Sequence, residues 1–151
     1  MQTSAETGDP VQRRAVLVVD DDDDIRGAVQ EVLEGEGYRT LGASNGKEAL
    51  DVLRTSANLP ALVLLDLMMP EMDGWELLVR MDEDPTLHQV PVALMSAHPS
   101  IRKAFDHDRD KGGHQVQSSL LLPKPLNLLR LLSVVHDVVR GPSERGGEPD
   151  R

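Results

Sequence analysis

Leu62-Val63-Leu64-Leu65-Asp66-Leu67-Met68-Met69-Pro70-Glu71-Met72-Asp73-Gly74 is the stretch that decides the fold. Four apolar residues, too few for a helix, run into one carboxylate, and Pro70 with Asp73-Gly74 then marks a turn. A continuous apolar run of this kind is how a strand buried on both faces of a parallel sheet reads. In open α/β sheets ligands and chemistry sit just beyond the carboxyl ends of the strands. Asp66 stands at that position. Taken alone it reads as a turn or helix-capping aspartate, and the rest of the chain changes that reading.

The same pattern of an apolar run ending in a polar residue recurs on both sides. Ala15-Val16-Leu17-Val18-Val19 ends in Asp20-Asp21, Val90 to Met95 ends in Ser96, and Leu120-Leu121-Leu122 ends at Lys124. Tyr38 to Leu41 supplies a further short strand. Between these runs the apolar spacing turns helical. Ile25, Ala28, Val29, Val32 and Leu33 share one helix face, which Gly35 and Gly37 are expected to close. Asn45 and Glu48 have capping-box spacing and open a helix with Ala49, Leu50 and Leu53 inward, broken by Leu59-Pro60. Gly74 to Asp82 places Leu77, Leu78 and Met81 together, and Asp84-Pro85 ends it. A short helix is expected over 99–110, followed by a loop through Lys111-Gly112-Gly113-His114. Leu126 to Val139 is the last helix, apolar at Leu128, Leu131, Leu132, Val135, Val138 and Val139, and stopped by Gly141-Pro142.

Five strands alternating with five helical segments predict an α/β fold, a five-stranded parallel sheet with helices on both faces and right-handed crossovers, and the order 2-1-3-4-5 of a known doubly wound fold suits it. Residues 13–140 would form this domain, with flexible tails over 1–12 and 141–151. Asp20, Asp21, Asp66, Ser96 and Lys124 all fall at strand carboxyl ends, so one edge of the sheet can gather all five.

Composition narrows the function. Hydrophobic residues make up 39% of the 151 but aromatics only 2%, so the core must be aliphatic. A net charge of −10 argues against non-specific nucleic-acid binding and against an anionic membrane surface. No cysteine is present, which excludes a disulfide framework or a thiolate zinc site. No signal-peptide core precedes Asp20, and no apolar run approaches the roughly 18 residues of a membrane span. A cytoplasmic protein is expected.

Three carboxylates held close together repel, and a hard divalent cation removes that penalty. Mg2+ suits the set because it uses few carboxylates and keeps waters that substrate oxygens can replace. Lys124 adds a point charge for a phosphoryl oxygen and Ser96 a hydroxyl donor. One carboxylate is then free to attack phosphorus, giving an aspartyl phosphate.

Over residues 13 to 140 the chain resembles the receiver domain of a two-component response regulator, and a flavodoxin-like receiver fold is what that implies. The resemblance rests on Val18-Val19-Asp20-Asp21, on Leu65 to Gly74, on Met95-Ser96-Ala97 and on Pro123-Lys124-Pro125-Leu126, four pieces in the right order and spacing. It implies Asp66 as phosphoacceptor, Asp21 and the main-chain carbonyl of Met68 on Mg2+, and Asp20 near the metal by way of water. It also implies Ser96 as the hydroxyl residue and Lys124 as the lysine, followed by a cis bond to Pro125. The donor would be a phosphohistidine on a sensor histidine kinase or a phosphotransfer protein. Two departures stand out. Leu121 and Leu122 occupy positions where the family usually carries an aromatic switch residue, and the stretch from Ser96 to Lys124 is longer than usual.

The rivals fare less well. Asp20 to Asp24 could be a solvated acidic loop, but it lies between a buried strand and a helix; Asp22, Asp23 and Asp24 suit the helix dipole. A calcium loop would need glycine where Ile25 stands. A Mg2+-dependent phosphatase with an aspartate nucleophile would want a second acid where Met68 stands. A degenerate receiver acting as an unphosphorylated adaptor would not need the complete acid, serine and lysine set. His88, His98, His107, His114 and His136 show no paired ligand spacing, and only His98, two residues after Ser96, is near enough to influence dephosphorylation. Trp75 reads as a packing residue. The stripe on the last helix, widened by Leu129 and Val134, suits core packing first and a homodimer surface second. The sequence therefore predicts a single-domain regulator, not an enzyme with turnover, whose output is contact with a downstream protein or onward phosphoryl transfer.

Overall fold

The computed structural model describes residues 15–67, 74–96 and 121–140. They form β1 (Ala15–Val19), α1 (Asp23–Gly35), β2 (Arg39–Ala43), α2 (Gly46–Thr55), β3 (Leu62–Asp66), α3 (Gly74–Glu83), β4 (Val92–Ser96), β5 (Leu121–Pro123) and α4 (Leu128–Arg140). The sheet order is β2-β1-β3-β4-β5, every pair parallel. This is the architecture expected from the alternation of strand and helix patterns. The helix expected over 99–110, the loop after it and both tails lie outside the described residues.

The central strands show why a continuous apolar run was needed. Side chains along a strand point alternately to opposite faces. Val63 and Leu65 of β3 join Leu17 and Val19 of β1 in a cluster with Leu50 and Leu53 of α2 and Leu77, Leu78 and Met81 of α3. Leu62 and Leu64 join Val16 and Val18 in a second cluster with Val29 and Leu33 of α1 and Leu131 and Val135 of α4. Both faces are covered, so neither set of positions can be polar. Burying one such side chain contributes about 1.5–3 kcal/mol.

Helix ends follow local chemistry. Asp22 caps α1, its carboxylate accepting from the amides of Asp24 at 2.9 Å and Ile25 at 3.1 Å. Asn45 caps α2 through the Glu48 amide at 2.8 Å. Glu48 in turn accepts from the Ser44 amide and hydroxyl, not from Asn45, and these bonds lower its pKa below the usual carboxylate value. The α1 helix runs to Gly35 itself, and the reversal falls on Gly37, whose φ of 94° suits glycine. The α2 helix ends at Thr55, before Leu59-Pro60.

Four expectations need correction. Ala28 is exposed, because the buried face of α1 centres on Val29 and Leu33, and a residue one step before Val29 swings about 100° away. The fourth strand starts at Val92, since Val90 closes a turn by donating to the Leu87 carbonyl. The last helix starts at Leu128, because the Asn127 side chain accepts from the Arg130 amide at 3.0 Å and caps it there. Leu128, expected inward, is half exposed in that first turn, while Val134 is buried and Leu129 is 80% exposed.

A strand-end site that gathers acids around one ammonium

Register decides what meets at the sheet edge. Val19 of β1 pairs with Leu65 of β3, so the next residues, Asp20 and Asp66, leave the sheet side by side. Asp66 pairs with Met95 of β4, and Ser96 pairs with Pro123 of β5, so Ser96 and Lys124 follow on the other flank. The Lys124 amide donates to the Ser96 carbonyl at 2.9 Å, and the Lys124–Pro125 peptide is cis, as the resemblance implied. Asp20, Asp66 and Ser96 are the buried polar side chains among the described residues.

Lys124 Nζ donates to Asp20 Oδ2 at 2.9 Å and to Asp66 Oδ2 at 3.2 Å, with its own side chain 16% exposed. Burial pulls the ammonium down, but the hydrogen bond to Asp20 and the charges of Asp66 and Asp20 outweigh it and hold its pKa above the ordinary 10.5. Lys124 therefore stays charged throughout the neutral range. Asp20, Asp21 and Asp66 each bring a carboxylate oxygen to a point where all three lie within 4.8 Å of one another. Asp21 is exposed and opens the cluster to solvent.

Three hard oxygen donors at this separation could hold a metal ion. All-oxygen donors with one open side suit a hard cation that retains water, and the donor set offers no nitrogen or sulfur to a softer one. The structure thus brings together Asp20, Asp21, Asp66 and Lys124, and sets Ser96 at the end of the neighbouring strand. Met68 and His98 lie outside the described residues.

Backbone packing fixes the Asp66 strand tip. Gly74 donates to the Leu67 carbonyl at 3.2 Å, and a Cβ on Gly74 would sit 2.7 Å from both the Asp66 carbonyl oxygen and Leu67 Cα. Only glycine allows α3 to start this close. Trp75, the next residue, packs partly buried against the cluster beneath β3.

A model of the response regulator receiver domain matches residues 16–136. The chain belongs to that family. Response regulator Rre1 of Synechocystis sp. is 33% identical over 138 residues, which is 89% of this chain and 56% of Rre1. An uncharacterized 14.6 kDa protein of Leptolyngbya boryana is 38% identical over 120 residues, 80% of this chain and 86% of that one. The structure of the chemotaxis response regulator CheY4 of Vibrio cholerae superimposes with a TM-score of 0.70 at 26% identity, covering 83% of this chain and 98% of CheY4. The receiver fold and the membership of two-component signalling proteins are thus established. No helix among the described residues is long and apolar enough to cross a membrane.

Sequence reasoning passed over one residue of the site. Arg26 Nη1 donates to the Asp20 carbonyl oxygen at 2.8 Å, and Nη2 pairs with Asp23 at 2.6 Å. The only sequence signal was an acid three residues before it in a helix, a spacing at which side chains meet.

Proposed function

We propose that this receiver domain, spanning about residues 13–140, accepts a phosphoryl group on Asp66 from a phosphohistidine of a sensor histidine kinase or phosphotransfer protein, in the cytoplasm. The observation that carries this is Lys124 Nζ bridging Asp20 and Asp66 beside the exposed Asp21 carboxylate. A nucleophilic carboxylate needs its charge kept, its approach path open and the incoming phosphoryl oxygens neutralised. Lys124 meets the first and last of these needs, and the solvent-facing side of Asp21 meets the second.

In the transfer an Asp66 carboxylate oxygen forms the new P–O bond as the P–N bond to the donor imidazole breaks. The electron pair of that bond stays on the imidazole, which takes up a proton. Asp21, Asp66 and the Met68 carbonyl would hold Mg2+, with Asp20 beside it through water. Bound there, the ion supplies charge neutralisation for the phosphoryl oxygens. Lys124 holds one of those oxygens, and the Ser96 hydroxyl donates to another. The domain is a signalling component with no separate turnover of substrate. Its output is contact with a downstream protein or onward transfer, and the exposed Leu128 and Leu129 of α4 offer an apolar surface for a partner or a second copy.

The test compares the parent protein with Asp66→Asn after incubation with acetyl phosphate and Mg2+. Hydroxylamine-sensitive phosphate should appear on the parent and be absent from the variant. Equal labelling of both, or none on a folded parent that binds Mg2+, would defeat the reading. The latter result would favour an unphosphorylated adaptor, and continuing release of phosphate from small esters would favour a phosphatase.

A further inference from the structure

Asp20 has protein partners at every polar atom. Its amide donates to the Ala43 carbonyl of β2 at 3.1 Å, one carboxylate oxygen accepts from the Asp22 amide at 2.9 Å, and the other accepts from Lys124. Its carbonyl accepts from Arg26. Asp20 and Asp21 flank that carbonyl-bearing peptide, so whatever holds its plane constrains the backbone from which both carboxylates leave the strand.

We infer that Arg26 is a positioning residue for the cation-binding acids: its guanidinium locks the Asp20–Asp21 peptide so that the carboxylates on either side of it converge with Asp66. The inference rests on the proposed Mg2+ site. A guanidinium is a planar fork, and here one arm takes the Asp20 carbonyl while the other takes the Asp23 carboxylate in the first turn of α1. Strand end and helix start are thereby clamped across the loop that carries Asp21. The side chain is only 20% exposed, and the surface beneath it is shaped for it. A Cβ on Gly42 of β2 would lie 3.4 Å from Arg26 Cδ and 3.1 Å from Gln30 Oε1, so the missing side chain leaves room for the arginine stem to pass.

Charge and geometry make opposite predictions here. A cation near a metal site repels the metal, so on electrostatics alone removing Arg26 would tighten Mg2+ binding. A clamp that orients ligands acts the other way, and losing an outer partner of metal ligands typically weakens affinity about 10–100-fold.

The experiment titrates Mg2+ into the full chain, followed by Trp75 fluorescence and by calorimetry, for the parent, Arg26→Met and Arg26→Lys. Circular dichroism and thermal melts check that each variant is folded. Arg26→Met, which keeps the stem, should weaken Mg2+ binding about tenfold. Arg26→Lys, with the charge kept and the fork lost, should also weaken it, though less. Unchanged or tighter binding in folded Arg26→Met overturns the inference while leaving the phosphoacceptor reading intact. So does full affinity in Arg26→Lys, which should Arg26→Met fail to fold decides the matter alone. No saturable binding by the parent defeats both.

Discussion

The bodies of β1 and β3 and their tips are separated by one peptide bond and obey opposite rules. Val16 to Val19 and Leu62 to Leu65 are aliphatic and fully buried, and each contributes to stability by leaving water. One step on, Asp20 and Asp66 are also buried, yet they carry like charges toward each other and toward Asp21. The sheet body stabilises the fold, and its edge holds a repulsive cluster in place. The lesson is that the tip is built against its own preference, held by backbone register and by one ammonium.

The contrast breaks first in the body. Leu64→Ala should cost about 2–5 kcal/mol in urea unfolding, since a cavity is added to lost burial, and leave Mg2+ affinity of the folded protein unchanged. A loss of affinity would mean that body and tip are not separable. Lys124→Met should cost about 3 kcal/mol without Mg2+, because it strands buried carboxylates, and added Mg2+ should restore much of it. The same lysine gives a pH signature. Its pKa is raised on folding, so its contribution is fully present below 10.5 and is lost as pH rises through the higher folded value. The parent should therefore lose stability above pH 10.5 more steeply than Lys124→Met.

Gly74→Ala should cost about 1–3 kcal/mol, the penalty of overpacking against backbone that cannot move aside. Asp66→Asn tests the repulsion itself. At an effective dielectric of about 20, two like-charge pairs within 4.8 Å cost at least about 7 kcal/mol, while the attraction at 3.2 Å returns about 5. Solvent at Asp21 screens the balance, so a gain of about 1 kcal/mol is expected in Mg2+-free buffer. Millimolar Mg2+ should reverse the order, stabilising the parent more than the variant. Leu129→Ser, at a position 80% exposed, should stay within about 0.5 kcal/mol.

Much of this was legible in the sequence because the informative signals were short-range. An apolar run ending in Asp66, the repeat of that grammar at Asp20 and Lys124, and glycines and prolines between them fix the strands and the edge without any knowledge of contacts. The order 2-1-3-4-5, by contrast, is that of a known doubly wound fold and is not written in these residues. The misplaced faces have a different origin. Ala28 and Leu128 are apolar at helical spacing, and only the position of the neighbouring helices and the Asn127 cap decides that they face water. Arg26 was illegible for the same reason. On a helix surface it is an ordinary cation, and its meaning comes from a carbonyl of another segment and from the space over Gly42.

The network around Asp20 reaches further than the pocket. Its amide is tied to β2, the outermost strand on one side, and its carboxylate to Lys124, which follows β5, the outermost strand on the other. One aspartate is thus a crossbeam over the full width of the sheet. A graft or insertion that shifts either outer strand will pull on the same beam, so swapping segments between relatives is safest when the two flanks are exchanged together.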